Sequence, residues 1–200
     1  MKLYYTPGAC SLAPHILLEE LALPHSLVKV DLKTKTTETG EYFLAINSKG
    51  YIPVLVTGSG LQLTEGTVIS QYLADLDPSA SLLPTQGEAR YQLLSMMSFI
   101  ATELHKPMGS MFNPAQSGDW KEATKALLTR RLDWLANKLG DQPYISGETF
   151  TVADAYLFTV LNWAAIVQFD LSPWPSLQAL VGRVAERPAV QRALQAEGLL

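Results

Sequence analysis

The apolar positions change period along the chain. "KLYY" (residues 2–5) is rich in residues that favour strands. Residues 11–22 then place Leu12, His15, Ile16 and Glu19 at helical spacing, with Leu17, Leu18 and Leu21 alongside and Leu23 just beyond. "SLVKVDL" alternates: Val28, Val30 and Leu32 share one face, and Leu27, Lys29 and Asp31 the other, which is the period of a strand. "IPVLV" is a continuous run fit for a buried strand. "TGSG" follows and "LQL" alternates again, so a hairpin joins two strands here. "TEGTVISQYLADL" returns to helical spacing through Val68, Ile69, Tyr72, Leu73 and Leu76. The predicted order is β-α-β, a loop with a short helix, then β-β-α. The hairpin makes the sheet partly antiparallel, so a doubly wound nucleotide fold is excluded. Gly58 and Gly60 lack the third glycine and the following helix of a phosphate loop.

"LDPSASLLPTQGEA" carries two prolines and several small residues and reads as a connection. Beyond it every segment is helical. Residues 88–106 place Leu93, Met97, Ile100 and Leu104 on one face. Residues 119–139 do the same with Leu128, Leu132, Leu135 and Leu139, and Gly140 is a C-cap. Thr151 caps a third helix, and Asp154 three residues on reaches back to it. Asp154 is therefore structural rather than catalytic. Pro175 and Pro188 are first-turn prolines of two shorter helices. The expected domains are an α/β unit over 1–80, a linker over 81–87 and an all-α unit over 88–200.

Composition narrows the class. The chain has 200 residues, 48% hydrophobic and 17% charged, the profile of an ordinary globular protein. Its net charge is −4 with scattered Lys and Arg, which argues against nucleic acid as a partner. The longest apolar stretch, "VADAYLFTVLNWAAIVQF", contains Asp154 and Asn162 and reads as a buried helix rather than a membrane span. No apolar signal-peptide run stands in "MKLYYTPGAC", and one cysteine forbids an internal disulfide, so a cytoplasmic protein is expected. His15 and His25 have no partners at metal spacing, and a single cysteine with three histidines makes no zinc pattern, so no metal is expected.

The lone cysteine stands in "YYTPGACSLAPH", where a strand turns into a helix. Two readings are open. Cys10 is either a small buried hydrophobe or a reactive thiol, because the unpaired N–H groups and dipole of a helix start stabilise a thiolate. The second cysteine of a C-x-x-C pair is absent, so the protein cannot close its own disulfide. Ser98, Thr102 and His105 follow +4 and +3 steps and form one polar stripe, with Glu103 and Lys106 beside it. That stripe is either a solvated face or the wall of a cleft.

"MKLYYTPGACSLAPHILLEE", "YIPVLV", "LTEGTVISQYLAD", "FIATELHKP" and "FTVADAYLF", in this order and spacing, resemble the bacterial beta-class glutathione S-transferases. The resemblance implies a thioredoxin-like N-terminal domain, an all-α C-terminal domain, a two-fold homodimer and glutathione as the co-substrate that supplies the partner thiol. It implies a glutathione site at Ala9, Cys10, Lys35, Ile52, Pro53, Glu65 and Gly66, with Ser98, Thr102, Glu103, Leu104, His105 and Lys106 contributed by the helical domain. Pro53 would follow a cis bond, and the backbone of Ile52 would pair with the cysteinyl residue of glutathione. Glu65 would face the γ-glutamyl amine, and Lys35, with Lys33 and Lys49 nearby, the glycine carboxylate. Cys10 and His105 would act on the sulfur, while Glu103 would reach a partner subunit's glutathione. Gly66 stands where many transferases have serine, and Ser98 where relatives often have asparagine. The implied activity is conjugation of glutathione to a small hydrophobic electrophile bound between the domains, near Met108, Met111, Phe112, Tyr156 and Trp163. Peroxidase, thiol-exchange or reductive dehalogenase chemistry through a Cys10 mixed disulfide is the alternative, and a non-enzymatic binding protein is a third reading.

Overall fold

The computed structural model describes residues 1–76 and 82–200. The chain forms two compact units, Met1–Ala80 together with Arg187–Leu200, and Ser81–Glu186.

The first unit is built on a five-stranded mixed sheet. In chain order its elements are β1 (Lys2–Tyr5), α1 (Leu12–Glu20), β2 (Ser26–Asp31), β3 (Thr36–Thr37), α2 (Phe43–Ile46), β4 (Val54–Val56), β5 (Gln62–Thr64) and α3 (Gly66–Ala74). The strands lie in the order β3-β2-β1-β4-β5. β1 and β2 are parallel, while β4 runs antiparallel to both β1 and β5. The expected hairpin is present, and β3 adds a short edge strand that two residues could not announce by periodicity. One face of the sheet buries Tyr4, Val28, Val30 and Val54 against Phe43 and Ile52, with Ala9 and Cys10 packed at its margin. Each fully buried aliphatic or aromatic side chain of this kind stabilises the fold by roughly 1.5–3 kcal/mol.

Leu12 through Leu18 of α1 are all buried. A helix that is apolar all round must be covered on more than one side. Here α3 packs against α1, and so does α9 (Pro188–Ala196). This last helix was expected with the helical domain. It instead completes the first unit, because Arg187 and Arg192 pair with Glu20 and Glu19 and Glu197 reaches His15.

The second unit contains α4 (Glu88–Phe99), a π-helical turn (Ile100–His105), α5 (Lys106–Ser110), α6 (Gly118–Leu139), α7 (Val152–Ile166) and α8 (Pro175–Ala185). α7 is buried along most of its length and touches α4, the π turn, α5 and α8. Its start is fixed by Asp154, which accepts hydrogen bonds from Thr151 N (2.8 Å), Thr151 Oγ1 (2.7 Å) and Ile145 N (2.8 Å). Part of the expected linker belongs to this unit: Leu82 and Leu83 are buried, and Leu82 O accepts from Val152 N at 3.0 Å. Ser81, where that linker was to begin, lies outside the described residues. Among the described residues no helix is long and apolar enough to cross a membrane.

Candidate functional site

Cys10 lies one residue before Ser11, the N-cap of α1, in the turn that leaves β1. Gly8 makes this turn possible, since its φ of +68° is one that side chains rarely adopt. Ser11 Oγ locks the turn by accepting from Thr6 N at 3.2 Å and donating to Thr6 O at 3.3 Å. Leu12 N donates to Ala9 O at 2.9 Å, which starts the helix beneath the thiol. The Cys10 thiol is half-buried and lies 3.4 Å from the carbonyl of Ile52, to which it donates. Ile52 is joined to Pro53 by a cis peptide bond, as the resemblance implied.

Glu65 stands immediately before α3 with φ +66° and ψ +113°. This backbone is costly for a residue with a Cβ, and such strain is retained where surrounding structure holds it, often at ligand sites. Its carbonyl accepts from Val68 N and Ile69 N, both at 3.0 Å, so the strained residue begins the helix. The side chain is exposed and its carboxylate pairs with Lys49, which also donates to Thr64 Oγ1 at 2.8 Å. Gly66 is close to Pro53: a Cβ at Gly66 would lie 3.8 Å from Pro53 Cγ. The start of α3 therefore lies beside the cis-proline loop.

Lys35 also has a left-handed backbone, φ +58°. Its ammonium donates to Gly50 O at 2.8 Å and sits 5.8 Å from the centre of the Tyr51 ring. Lys35 and Lys49 are thus both held around the segment that leads into Ile52–Pro53. Lys33, the other expected neighbour, is exposed and its N–H is spent on Asp31 Oδ1. Within the first unit Cys10 meets Ile52, Gly66 lies by Pro53, and Lys35 holds the segment that leads into Ile52.

In the second unit the single helix expected over 88–106 is broken by the π turn at Ile100–His105. The wider turn divides the expected polar stripe. Ser98 and Thr102 are exposed, with Thr102 Oγ1 donating to Ser98 O at 3.1 Å, whereas His105 turns inward. Its Nδ1 is 2.5 Å from Tyr156 Oη, and its ring meets Trp163 edge-on at 4.9 Å between centroids. Burial, and then the Lys106 charge beside it, push the His105 pKa down to about 4. His105 is consequently neutral at pH 7 and serves as a hydrogen-bonding partner rather than as a cation. Glu103 pairs with Arg131 of α6 at 2.5 Å, a partner that spacing did not reveal. Leu104 is fully buried, so its side chain packs the core instead of facing a ligand. Met108, Met111, Tyr156 and Trp163 are buried too, and Phe112 is exposed with its ring 5.8 Å from Trp163.

Comparison with known proteins shows the family. A family model described as the glutathione S-transferase N-terminal domain matches residues 8–76, and one described as the C-terminal domain matches residues 99–188. A relative from Escherichia coli O157:H7, glutathione S-transferase GstA, is 46% identical over the whole of both chains. This chain belongs to the glutathione S-transferase family. Two solved transferases of that family cover the whole of both chains with TM-scores of 0.95: a bacterial beta-class enzyme from Sphingomonas chungbukensis, 45% identical, and a sphingomonad enzyme complexed with glutathione, 44% identical. The fold is accordingly that of a glutathione transferase, a thioredoxin-like α/β unit and a helical unit, as expected. Against the family resemblance, the residues that sequence reasoning missed are Tyr51 beneath Lys35, Arg131 on Glu103 and the Tyr156 hydroxyl on His105. Each is contributed from elsewhere in its unit, and no local pattern signals it.

Proposed function

We propose that the first unit binds glutathione through the surface joining Cys10, Ile52 and Glu65, and that the enzyme transfers the glutathione sulfur to hydrophobic electrophiles. The observation that carries this reading is the convergence of a half-buried thiol on the Ile52 carbonyl at 3.4 Å, beside a strained acidic residue at a helix start. A tripeptide with a thiol at its centre and a carboxylate at each end fits those groups. The γ-glutamyl carboxylate takes the open N–H groups at Gly66, where backbone dipoles favour an anion. Its ammonium takes the Glu65 carboxylate. The cysteinyl backbone pairs with Ile52, and the glycine carboxylate takes Lys35. The glutathione sulfur then lies by Cys10, which can donate its S–H to a thiolate as it now does to Ile52.

The reaction is a substitution or addition at carbon. The thiol proton leaves to solvent, the thiolate attacks the electrophilic carbon and a carbon–sulfur bond forms; in substitution a leaving group departs with its electron pair, and in addition the π pair of the attacked bond moves away from that carbon and is protonated from solvent. Holding the sulfur ionised at neutral pH raises the reactive fraction. His105, neutral and held by Tyr156, carries its proton on Nε2 when the tyrosine hydroxyl donates to Nδ1, which makes it a hydrogen-bond donor of the helical unit. The exposed side chains of Ser98 and Thr102, with Glu103, remain the candidates for contacts made by a partner subunit in a homodimer.

The partial exposure of Cys10 favours a second activity at the same place. Oxidised glutathione would be attacked by the Cys10 thiolate, forming a Cys10–glutathione disulfide and releasing one glutathione thiolate. The test for both is turnover with an aryl halide and, separately, with a disulfide substrate, in the native protein and in Cys10→Ser. Conjugation that persists at a reduced rate while exchange vanishes is the expected result. Absence of conjugation with every electrophile tried, although glutathione binds, would refute the transferase reading.

A further inference from the structure

Away from the Cys10 surface, the first unit brings together three groups that the sequence spacing had not connected. His15 and Glu19 are four apart on α1, and His25 follows in the loop that leads into β2. The ligating atoms of all three lie within 4.8 Å of one another.

Glu197 Oε2 accepts from Gly8 N at 2.8 Å, and Glu197 Oε1 lies 2.8 Å from His15 Nδ1. The Nδ1–H tautomer of His15 donates to this carboxylate and leaves Nε2 as the nitrogen able to ligate. The His15 side chain is 0% exposed, and its Nε2 is a buried atom with no hydrogen-bond partner. Such an atom is costly to leave unpaired. His25 Nδ1 is 2.8 Å from Leu23 O, which can only accept, so Nδ1 carries a proton and Nε2 is the nitrogen that a cation would engage, in place of a proton. Glu19 gives one oxygen to Arg192 Nε at 2.6 Å and turns the other toward His25 Nε2 at 3.6 Å. Each of the three residues thus offers one ligating atom close to the other two. The two carboxylates, Glu19 and Glu197, outweigh the one guanidinium, Arg192, by a single negative charge.

We propose that His15 Nε2, Glu19 Oε1 and His25 Nε2 form a binding site for a divalent transition-metal cation of the zinc type. Two imidazoles and a carboxylate are a set that such ions accept, at about 2.0–2.2 Å, with a fourth position left for water. Closing the group from its present spacing to those bond lengths calls for rotation of His25 and Glu19, whose side chains are 12% and 20% exposed and mark the solvent side. The contact of Glu197 with His15 Nδ1 is the carboxylate support that orients a metal-bound histidine. The cation would tie α1 and the following loop to α9, and through Glu197 to the backbone at Gly8, two residues from Cys10.

The experiment is calorimetric titration of zinc alone into the untagged full-length chain carrying Cys10→Ser, so that no thiol contributes. One equivalent should bind with a dissociation constant in the micromolar range or below. His25→Ala and Glu19→Gln should each weaken it by about tenfold or more. Zinc should raise the melting temperature of the Cys10→Ser protein and not that of the same protein with His25→Ala added, because only a native-state ligand stabilises. His25 is at the margin of the cluster, and circular dichroism checks that its variant folds. No saturable binding at millimolar zinc, or equal affinity in His25→Ala and its parent, overturns the proposal.

Discussion

Replacing Glu65 by alanine separates binding from folding. Among the described residues the Glu65 carboxylate pairs with Lys49, and the two side chains are 66% and 48% exposed. An ion pair so open to water contributes about 0–1 kcal/mol. Alanine keeps the positive φ, so the backbone strain is unchanged and the melting temperature should hardly move. Glutathione is affected differently. Its α-ammonium would lose a charged acceptor, an interaction of about 1.5–3 kcal/mol. At 1.4 kcal/mol per factor of ten, affinity should fall roughly 10- to 100-fold. Calorimetry with glutathione measures this directly. A second ligand lacking the α-amino group makes the test specific. The native protein should bind that analogue as weakly as Glu65→Ala binds glutathione, and the variant should bind both alike, the pattern of coupled partners in a double-mutant cycle. Unchanged glutathione affinity in Glu65→Ala, or an equal loss with both ligands, would refute the placement of the amine. Glu65→Gly should bind as weakly as the alanine variant yet fold more stably by about 1 kcal/mol, because glycine tolerates the left-handed backbone.

The other predictions concern the second unit and the assembly. The depressed pKa of His105 means that the unfolded chain binds its proton more readily, so stability should be lost as pH falls from about 6.5 toward 4. Urea denaturation of His105→Gln should show a flatter pH dependence over that window, and identical slopes would contradict a buried neutral imidazole. Asp154→Ala should cost about 3 kcal/mol or more, because three buried donors lose their acceptor, and a change under 1 kcal/mol by the same method would contradict the capping role. Sedimentation should give a dimer, and a fully active monomer of 21.9 kDa would rule out a contribution of Glu103 or Ser98 across subunits.

What the sequence made legible was whatever depends on local pattern. Strand alternation at Val28 and Val30, the "TGSG" turn and the capping pair Thr151–Asp154 each state their structure within a few residues. The Cys10 turn was legible for the same reason, since glycine, thiol and helix start are adjacent. The π turn was not. A helix and its widened form share the same apolar spacing for most of their length, so Leu93, Met97, Ile100 and Leu104 fitted a regular helix while His105 was rotated away from Ser98. The left-handed backbone of Glu65 is a tertiary demand that a charged side chain gives no sign of. The group of His15, Glu19 and His25 was invisible because it forms only when the loop after α1 folds His25 back against that helix, and its Glu197 support comes from a residue 182 positions away. The charges that fix that return, Arg187 and Arg192, looked like ordinary surface charges of a last helix.

Whether glutathione occupies the Cys10–Ile52–Glu65 surface is measured by a crystal structure of the protein with glutathione. The expected complex has the glutathione sulfur against Cys10 Sγ, the cysteinyl backbone hydrogen-bonded to Ile52 and the γ-glutamyl amine on Glu65. Glutathione bound elsewhere, or bound here with its sulfur turned away from Cys10, would contradict it.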